Sequence, residues 1–375
     1  MRAEGPVRYK AARLFDGLEW HEQASLLVAD GAIVGLNQPL AGATEIDLGD
    51  KIIVPGFVDL QCNGGGGVLL DGDTDVEGLR VILETHADLG THQLLPTLIT
   101  NTADATDRVL SLGAHAARLG TPGFLGLHLE GPHLSLARKG AHNPSLIRPM
   151  SETDVVRLER ARGELPNLLV TVAAETVPPE TIARLVASGI VVSIGHSDAS
   201  YHQALAAFRA GATMATHLFN AMSQIGNRNP GLVGAVLDTP DVSAGVIADG
   251  IHIHKATLRL AVAAKRAPGH LFLVSDSMAQ AGTNWTTFTF GQDTIYRTNG
   301  ALCLTDGTLA GADLTLMTAV TNWVRLGLGS LEDAVERATC FPLRALGLQP
   351  ASMLEPGRPP RFLILDPVEQ GPLPS

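Results

Sequence analysis

The chain has little that would staple it from outside or carry it through a membrane. Its three cysteines, Cys62, Cys303 and Cys340, are too few and too scattered for a disulfide framework or a Cys-x-x-Cys metal site. All three are expected to be small core residues in a reducing compartment. No run approaches the ~18 apolar residues of a membrane span, and no apolar segment follows Met1-Arg2, so the cytoplasm is the expected location. No cluster of Lys and Arg offsets the net charge of −11, which argues against nucleic acid or an anionic membrane as partner. An anionic ligand would have to be received by a few local basic groups. Internal repeats and low-complexity segments are absent as well.

What the chain does have is a periodic series of eight apolar, β-branched-rich runs: Gly56–Gln61, Gln93–Leu98, Phe124–Glu130, Leu168–Ala174, Gly189–Gly195, Thr213–His217, Val242–Asp249 and Leu271–Asp276. Continuous apolar runs are what strands of a parallel sheet covered on both faces look like, and most of the segments between them read as helices. Eight strand–helix units describe an α/β fold of the (β/α)8 TIM-barrel type, with catalytic groups at the C-terminal strand ends. Seven of the runs end at or near a side chain able to bind a metal, a substrate or a proton: Gln61 with Asn63, Glu130, Glu175, His196, His217, Asp249 with His252, and Asp276. At 375 residues there is room for the barrel, over 55–345, and a smaller appendage. Residues 1–54 hold short strand-like stretches (Ala11–Leu14, Ala24–Val28, Ala32–Leu36) broken by Asp-Gly pairs, a hairpin signal. Arg361–Leu365 reads as one more strand, so 1–54 plus 346–375 are expected to form a small β-sandwich from both termini. Residues 285–310 look like a β-excursion inserted after the eighth strand, placed to cover the mouth.

The chemistry starts with His196 and His217, 21 residues apart with one amphipathic helix between them. One barrel unit therefore separates them, and both imidazoles reach the same rim as Glu130. Two histidines and a carboxylate leave an open position on a divalent metal such as zinc; iron(II) suits the same ligands. Asp276 ends an apolar strand, where a buried carboxylate is costly without a task; beside ionisable water it can accept a proton and return it.

At this point a resemblance becomes specific. Pro55–Gly64, His128–Pro132, Lys139–His142, Gly195–Ala199, Thr216–Met222, Ala248–His252 and Val274–Asp276 stand in order and resemble the N-acetylglucosamine-6-phosphate deacetylases of the amidohydrolase superfamily. The similarity runs through about 55–320 and, more loosely, both termini. It implies that Glu130, His196 and His217 hold the metal, that Asp276 is the general acid/base, and that His142 polarises the acetyl carbonyl. It further implies that Asn220, Ala221, Arg228 and His252 receive the sugar phosphate, with Arg228 reaching into the neighbouring subunit of a homodimer. Ala141 and the turn Leu309, Ala310, Gly311 match further substrate contacts. Gln61 and Asn63 stand where many amidohydrolases carry His-x-His; neutral amides are poor transition-metal ligands, and one metal ion per subunit is expected. The implied reaction is hydrolysis of the N-acetyl group of N-acetylglucosamine 6-phosphate. The galacto epimer or another N-acyl substrate would need the same catalytic residues, and a non-catalytic sugar-phosphate binder would need none of them.

Gly64–Gly67 suits a phosphate cradle or merely a tight turn, and His128 is interior support. Two departures from the family pattern are His133, which could alter pocket polarity, and Arg361, which concerns the small domain.

Overall fold

The computed structural model describes residues 5–291, 293–349 and 351–368. The outermost parts of the expected terminal domain (1–4 and 369–375), together with 292 and 350, lie outside the described residues. Eight parallel strands follow one another around the sheet in chain order: β1 (Phe57–Cys62), β2 (Thr91–Ile99), β3 (Leu127–Glu130), β4 (Leu168–Val172), β5 (Val191–Ile194), β6 (Met214–Ala215), β7 (Ser243–Val246) and β8 (Leu271–Leu273). β1, β3, β4, β6, β7 and β8 are buried at every position, which is why these runs show no alternation.

Helices α1 (Val76–Asp88), α2 (Ala103–Arg118), α3 (Glu152–Arg162), α4 (Pro179–Ala187), α5 (Tyr201–Arg209), α6 (Gly231–Asp238), α7 (Lys255–Ala264) and α8 (Leu316–Arg325) each follow one strand. Their starts are written in the sequence. Asp75, Thr102, Ser151, Ser200 and Thr315 each accept a backbone N–H from the first turn, satisfying donors that the helix leaves open. Gly90, Gly120, Gly189 and Gly211, just past α1, α2, α4 and α5, have positive φ, the left-handed stop for which glycine carries no Cβ penalty.

Closure between β8 and β1 is made differently from the other seams. A single bridge joins Cys62 to Ser277, the Asp276 amide donates to the Gln61 carbonyl at 3.0 Å, and the Asn63 amide to the Ser277 carbonyl at 2.8 Å. The side chain of Asp59 completes the seam by accepting the Ser275 amide at 3.2 Å and the Gln61 amide at 3.1 Å. Asp59 is fully buried, and that burial pushes its carboxyl up to about 7. The sign follows from linkage: between about pH 4 and 7 the folded chain keeps a proton that the unfolded chain has released, so stability falls as pH rises through that window. One oxygen of an asparagine can accept both amides. Asp59→Asn is therefore expected to fold and to flatten the decline of melting temperature from pH 4 to 7; an unchanged slope would remove Asp59 from this role.

The terminal segments build one six-stranded mixed sheet from Val7–Phe15, Trp20–Ala29, Ala32–Leu36, Thr44–Asp47, Ile52–Pro55 and Phe362–Leu365. The last strand pairs antiparallel with Ile52–Pro55, directly before β1, and Val7–Phe15 pairs parallel with the same strand on its other side. The Asp30-Gly31 pair turns the second hairpin with φ of 51° and 74°. After β8 the chain makes a four-stranded antiparallel excursion, Thr287–Phe290, Asp293–Thr298, Ala301–Cys303 and Leu309–Ala312, whose return strand reaches the cavity described below. Among the described residues, no helix is long and apolar enough to cross a membrane.

Candidate active site

The strand ends converge as barrel topology requires, but three of them end in a way the apolar runs do not show. His196, His217 and Asp276 have φ of 46°, 30° and 47°, the left-handed region that non-glycine residues seldom adopt and that clusters at functional sites. The expected strands through His217 and Asp276 therefore stop earlier, at Ala215 and Leu273. The backbone leaves the ladder and swings each side chain inward over the mouth.

Glu130, at the end of β3, is the centre. Its Oε1 stands 3.0 Å from His217 Nε2 and 3.4 Å from His196 Nε2, and the two imidazole nitrogens are 3.0 Å apart. His142 joins from the loop after β3, with Nε2 3.8 Å from Glu130 Oε2. Glu130, His142 and His196 offer ligand atoms within 4.8 Å of one another, a buried candidate metal site. His217 belongs to the same knot on the distances above.

The residues fit a divalent ion. Four ligands about 2.0–2.1 Å from a tetrahedral ion stand roughly 3.3 Å apart, which is the spacing of Glu130 Oε1, His196 Nε2 and His217 Nε2. His196 Nδ1 lies 2.8 Å from the carbonyl of Arg138. A carbonyl only accepts, so Nδ1 carries the proton and the lone pair is on Nε2, inside the site. Burial pushes the Glu130 carboxyl up, but the hydrogen bonds and positive charge that His196 and His217 offer when protonated outweigh it and hold the group well below the usual range. Burial, reinforced by His196, pushes His142 down to about 3, leaving a neutral ring. Thr100 Oγ1 stands 2.7 Å from its Nδ1.

Asp276 faces this knot from β8. Burial and then the charge of Glu130 push its carboxyl up to about 6. Asn63 Nδ2 donates to Oδ1 at 2.8 Å, and Gln61 Nε2 donates to the same atom at 3.2 Å and to Glu130 Oε1 at 3.0 Å. The acid does not bond its own turn, the ordinary fate of a strand-end aspartate.

A cavity of about 350 Å³ opens above these groups, lined also by Ala141, Asn220, Ala221, His252, Leu309, Ala310 and Gly311. Its size suits a small ligand. Asp249 accepts the His252 amide at 2.9 Å and sits 2.5 Å from its Nδ1, so the acid shapes the loop and orients the ring. Gln61 lies behind the wall rather than on it. Arg228 is exposed on the loop after Asn220 and does not line its own chain's cavity.

Several residues act apart from the cavity. Glu175 accepts from Ser197 Oγ at 2.5 Å and from the Asp198 amide at 2.7 Å, bracing the turn that follows His196. His128 is held inside the barrel by Thr171 Oγ1 at 2.7 Å. His133 turns away toward the Arg148 carbonyl at 3.1 Å. Gly66 and Gly67 donate their amides to Ala281 and Ala279 carbonyls, both at 2.8 Å. Those two donors are spent on the loop after Asp276 and are not free to receive a phosphate.

Sequence reading passed over Thr100, Arg138, Phe290 and Thr308. Thr100 follows β2, the one strand whose end carried no recognised chemical group; a hydroxyl at a barrel rim was the available signal. Arg138 acts through its carbonyl, which no side-chain pattern reveals, and its guanidinium pairs with Asp198 at 2.8 Å. Phe290 and Thr308 reach the cavity from the excursion, whose docking is long-range.

Comparison with known proteins gives a consistent picture. Residues 52–375 match the model of the amidohydrolase family. The N-acetylgalactosamine-6-phosphate deacetylase of Shewanella sp. (strain ANA-3) is 39% identical over 329 residues, covering 86% of this chain and 82% of the relative. The N-acetylglucosamine-6-phosphate deacetylase of Haemophilus influenzae is 37% identical over 330 residues, 86% and 85% of the two chains. A mutant N-acetyl-D-glucosamine-6-phosphate deacetylase of Mycobacterium smegmatis, solved in complex with N-acetyl-D-glucosamine-6-phosphate, superposes with a TM-score of 0.85 at 32% identity, covering 96% and 95%.

Proposed function

The chain belongs to the amidohydrolase family, and from that premise we propose that it hydrolyses the acetamide of N-acetylglucosamine 6-phosphate, yielding acetate and glucosamine 6-phosphate. At the coarser level it is an N-acetylhexosamine-6-phosphate deacetylase. The observation that carries the reading is the convergence of Glu130, His196 and His217 with the free carboxylate of Asp276 in one cavity. We assign one divalent ion per subunit, zinc first and iron(II) second, to Glu130, His196 and His217. Their 3.0–3.4 Å spacing suits an ion better than the 3.8 Å between His142 and Glu130. Such an ion supplies Lewis-acid charge that favours ionised water and a polarised carbonyl.

The protein's own groups do the rest. Asp276 takes a proton from the attacking water as the new C–O bond forms. It returns that proton to the amide nitrogen as the C–N bond breaks, because nitrogen leaves badly as an anion and readily as a neutral amine. If Thr100 donates to Nδ1 of the neutral His142 ring, Nε2–H faces the site and donates to the acetyl oxygen as negative charge grows there. Asn220 and His252 lie on the cavity wall where a sugar phosphate would extend.

Phosphate recognition is assigned in part to Arg228. Since it stands outside its own chain's cavity, we place it in the mouth of a second copy, in a homodimer. Arg228→Ala is expected to raise KM for the phosphorylated substrate roughly 10–100-fold, the worth of a charge-assisted hydrogen bond. The unphosphorylated analogue should be little affected; equal losses for both would refute the assignment. The second reading, the galacto epimer, is favoured by the 39% identity to the Shewanella enzyme. Acetate release from the two epimeric 6-phosphates decides between them: a higher kcat/KM for the galacto compound would overturn the gluco proposal.

A further inference from the structure

We propose that Gln61 and Asn63 are positioning residues for proton transfer: together they grip Asp276 by Oδ1 and leave Oδ2 as the oxygen that carries the proton. The proposal rests on Asp276 being the proton shuttle. Both amides are 2% exposed, at the end of β1 across the barrel seam from Asp276. Both donate to the same atom, at 3.2 and 2.8 Å. Among the described residues, no side chain donates to Oδ2. A carboxylate with one oxygen saturated by two N–H donors is fixed in rotation, and its proton affinity is concentrated on the other oxygen.

The donor count explains why amides suit this place. Gln61 stands between two carboxylates and points one amine at both, with Nε2 3.0 Å from Glu130 Oε1 and 3.2 Å from Asp276 Oδ1. An NH2 group has two hydrogens, one for each acid, so the two negative groups are bridged without adding charge. Asn63 Oδ1 is buried with no hydrogen-bond partner, an arrangement that costs free energy. Flipping the amide would set that oxygen against Asp276, so the orphaned atom is the consequence of aiming Nδ2 at the acid. The backbone secures the same alignment, since the Asp276 amide donates to the Gln61 carbonyl and the Asn63 amide to the Ser277 carbonyl.

The test uses Gln61→Met and Asn63→Leu, near-isosteric side chains without donors, alone and combined with Asp276→Asn. Turnover, bound metal and melting temperature are measured together. Each single variant should lose about 10–100-fold in kcat, the usual effect of removing a supporting hydrogen bond, with KM and metal content little changed. In the Asp276→Asn background, Asn63→Leu should cost nothing further. Gln61→Glu keeps the shape but turns an oxygen on the acids, and it should be worse than Gln61→Met; this ordering holds the proposal open to refutation if Asn63→Leu folds poorly. Unchanged kcat in the single variants, equal losses with and without Asp276, or losses that follow metal content or KM would overturn it. If Asp276→Asn is inactive while the amide variants are fully active, only the positioning role fails. If Asp276→Asn turns over normally, the shuttle and the positioning role fall together.

Discussion

Asp276→Asn is expected to lower kcat by about 10²–10⁴-fold, the range for a general acid/base, while metal content and substrate affinity stay near normal. The expectation follows from its surroundings: buried at the mouth, held through Oδ1 by two amides, and not tied to its own turn. Asp249 is the competing carboxylate, but its oxygens are occupied by the amides of Ile251 and His252 and by the His252 ring. Asp249→Asn should act chiefly on KM through His252. The pH dependence has a definite sign. The base must be ionised, so turnover falls on the acid side. Burial and the charge of Glu130 push Asp276 up to about 6, and a cation held by Glu130 pulls it back, which puts the acid limb of kcat below that value. Near-normal turnover in Asp276→Asn together with collapse in Asp249→Asn would reverse the assignment.

Chelation should abolish activity, and added zinc or iron(II) should restore it, with elemental analysis finding about one equivalent per chain in the active protein. The choice between His217 and His142 as third ligand can be made without assaying turnover. His196→Ala and His217→Ala should lose most of the bound metal, since each removes a nitrogen from the 3.0–3.4 Å triangle around Glu130. His142→Ala should keep its metal and lose kcat instead. The reverse pattern, with metal lost from His142→Ala and retained in His217→Ala, would make Glu130, His142 and His196 the ligand set. Two equivalents in the wild-type chain would refute the single-ion expectation drawn from Gln61 and Asn63.

Much of the site is legible along the chain. The runs that became β1 to β8 are apolar without alternation, a local property that survives whatever the rest of the chain does. Strand ends then place Glu130, His196, His217 and Asp276 on one rim by topology alone. The excursion near 285–310 also announced itself as short strands, although its fourth strand, Leu309–Ala312, was legible only as a turn bearing substrate contacts. The bounds of β6 and β8 were less legible, because apolar character continues past the point where the backbone turns left-handed.

By itself, then, the sequence determined the eight barrel strands, their order along the chain, the terminal strands and the identities of the groups at the mouth, since each is carried by a local run of residues. Tertiary structure decided what those groups do to each other. Asn63 meets Asp276 across 213 positions and Gln61 meets it across 215; Asp59 closes the seam to Ser275 across 216. Thr100 was assigned to His142, and the carbonyl of Arg138 to His196, only when loops from different strands docked. No periodicity carries such information, because hydrogen-bond direction, left-handed backbone and the spacing of ligand atoms arise from the closing of the barrel and not from any stretch of chain within it.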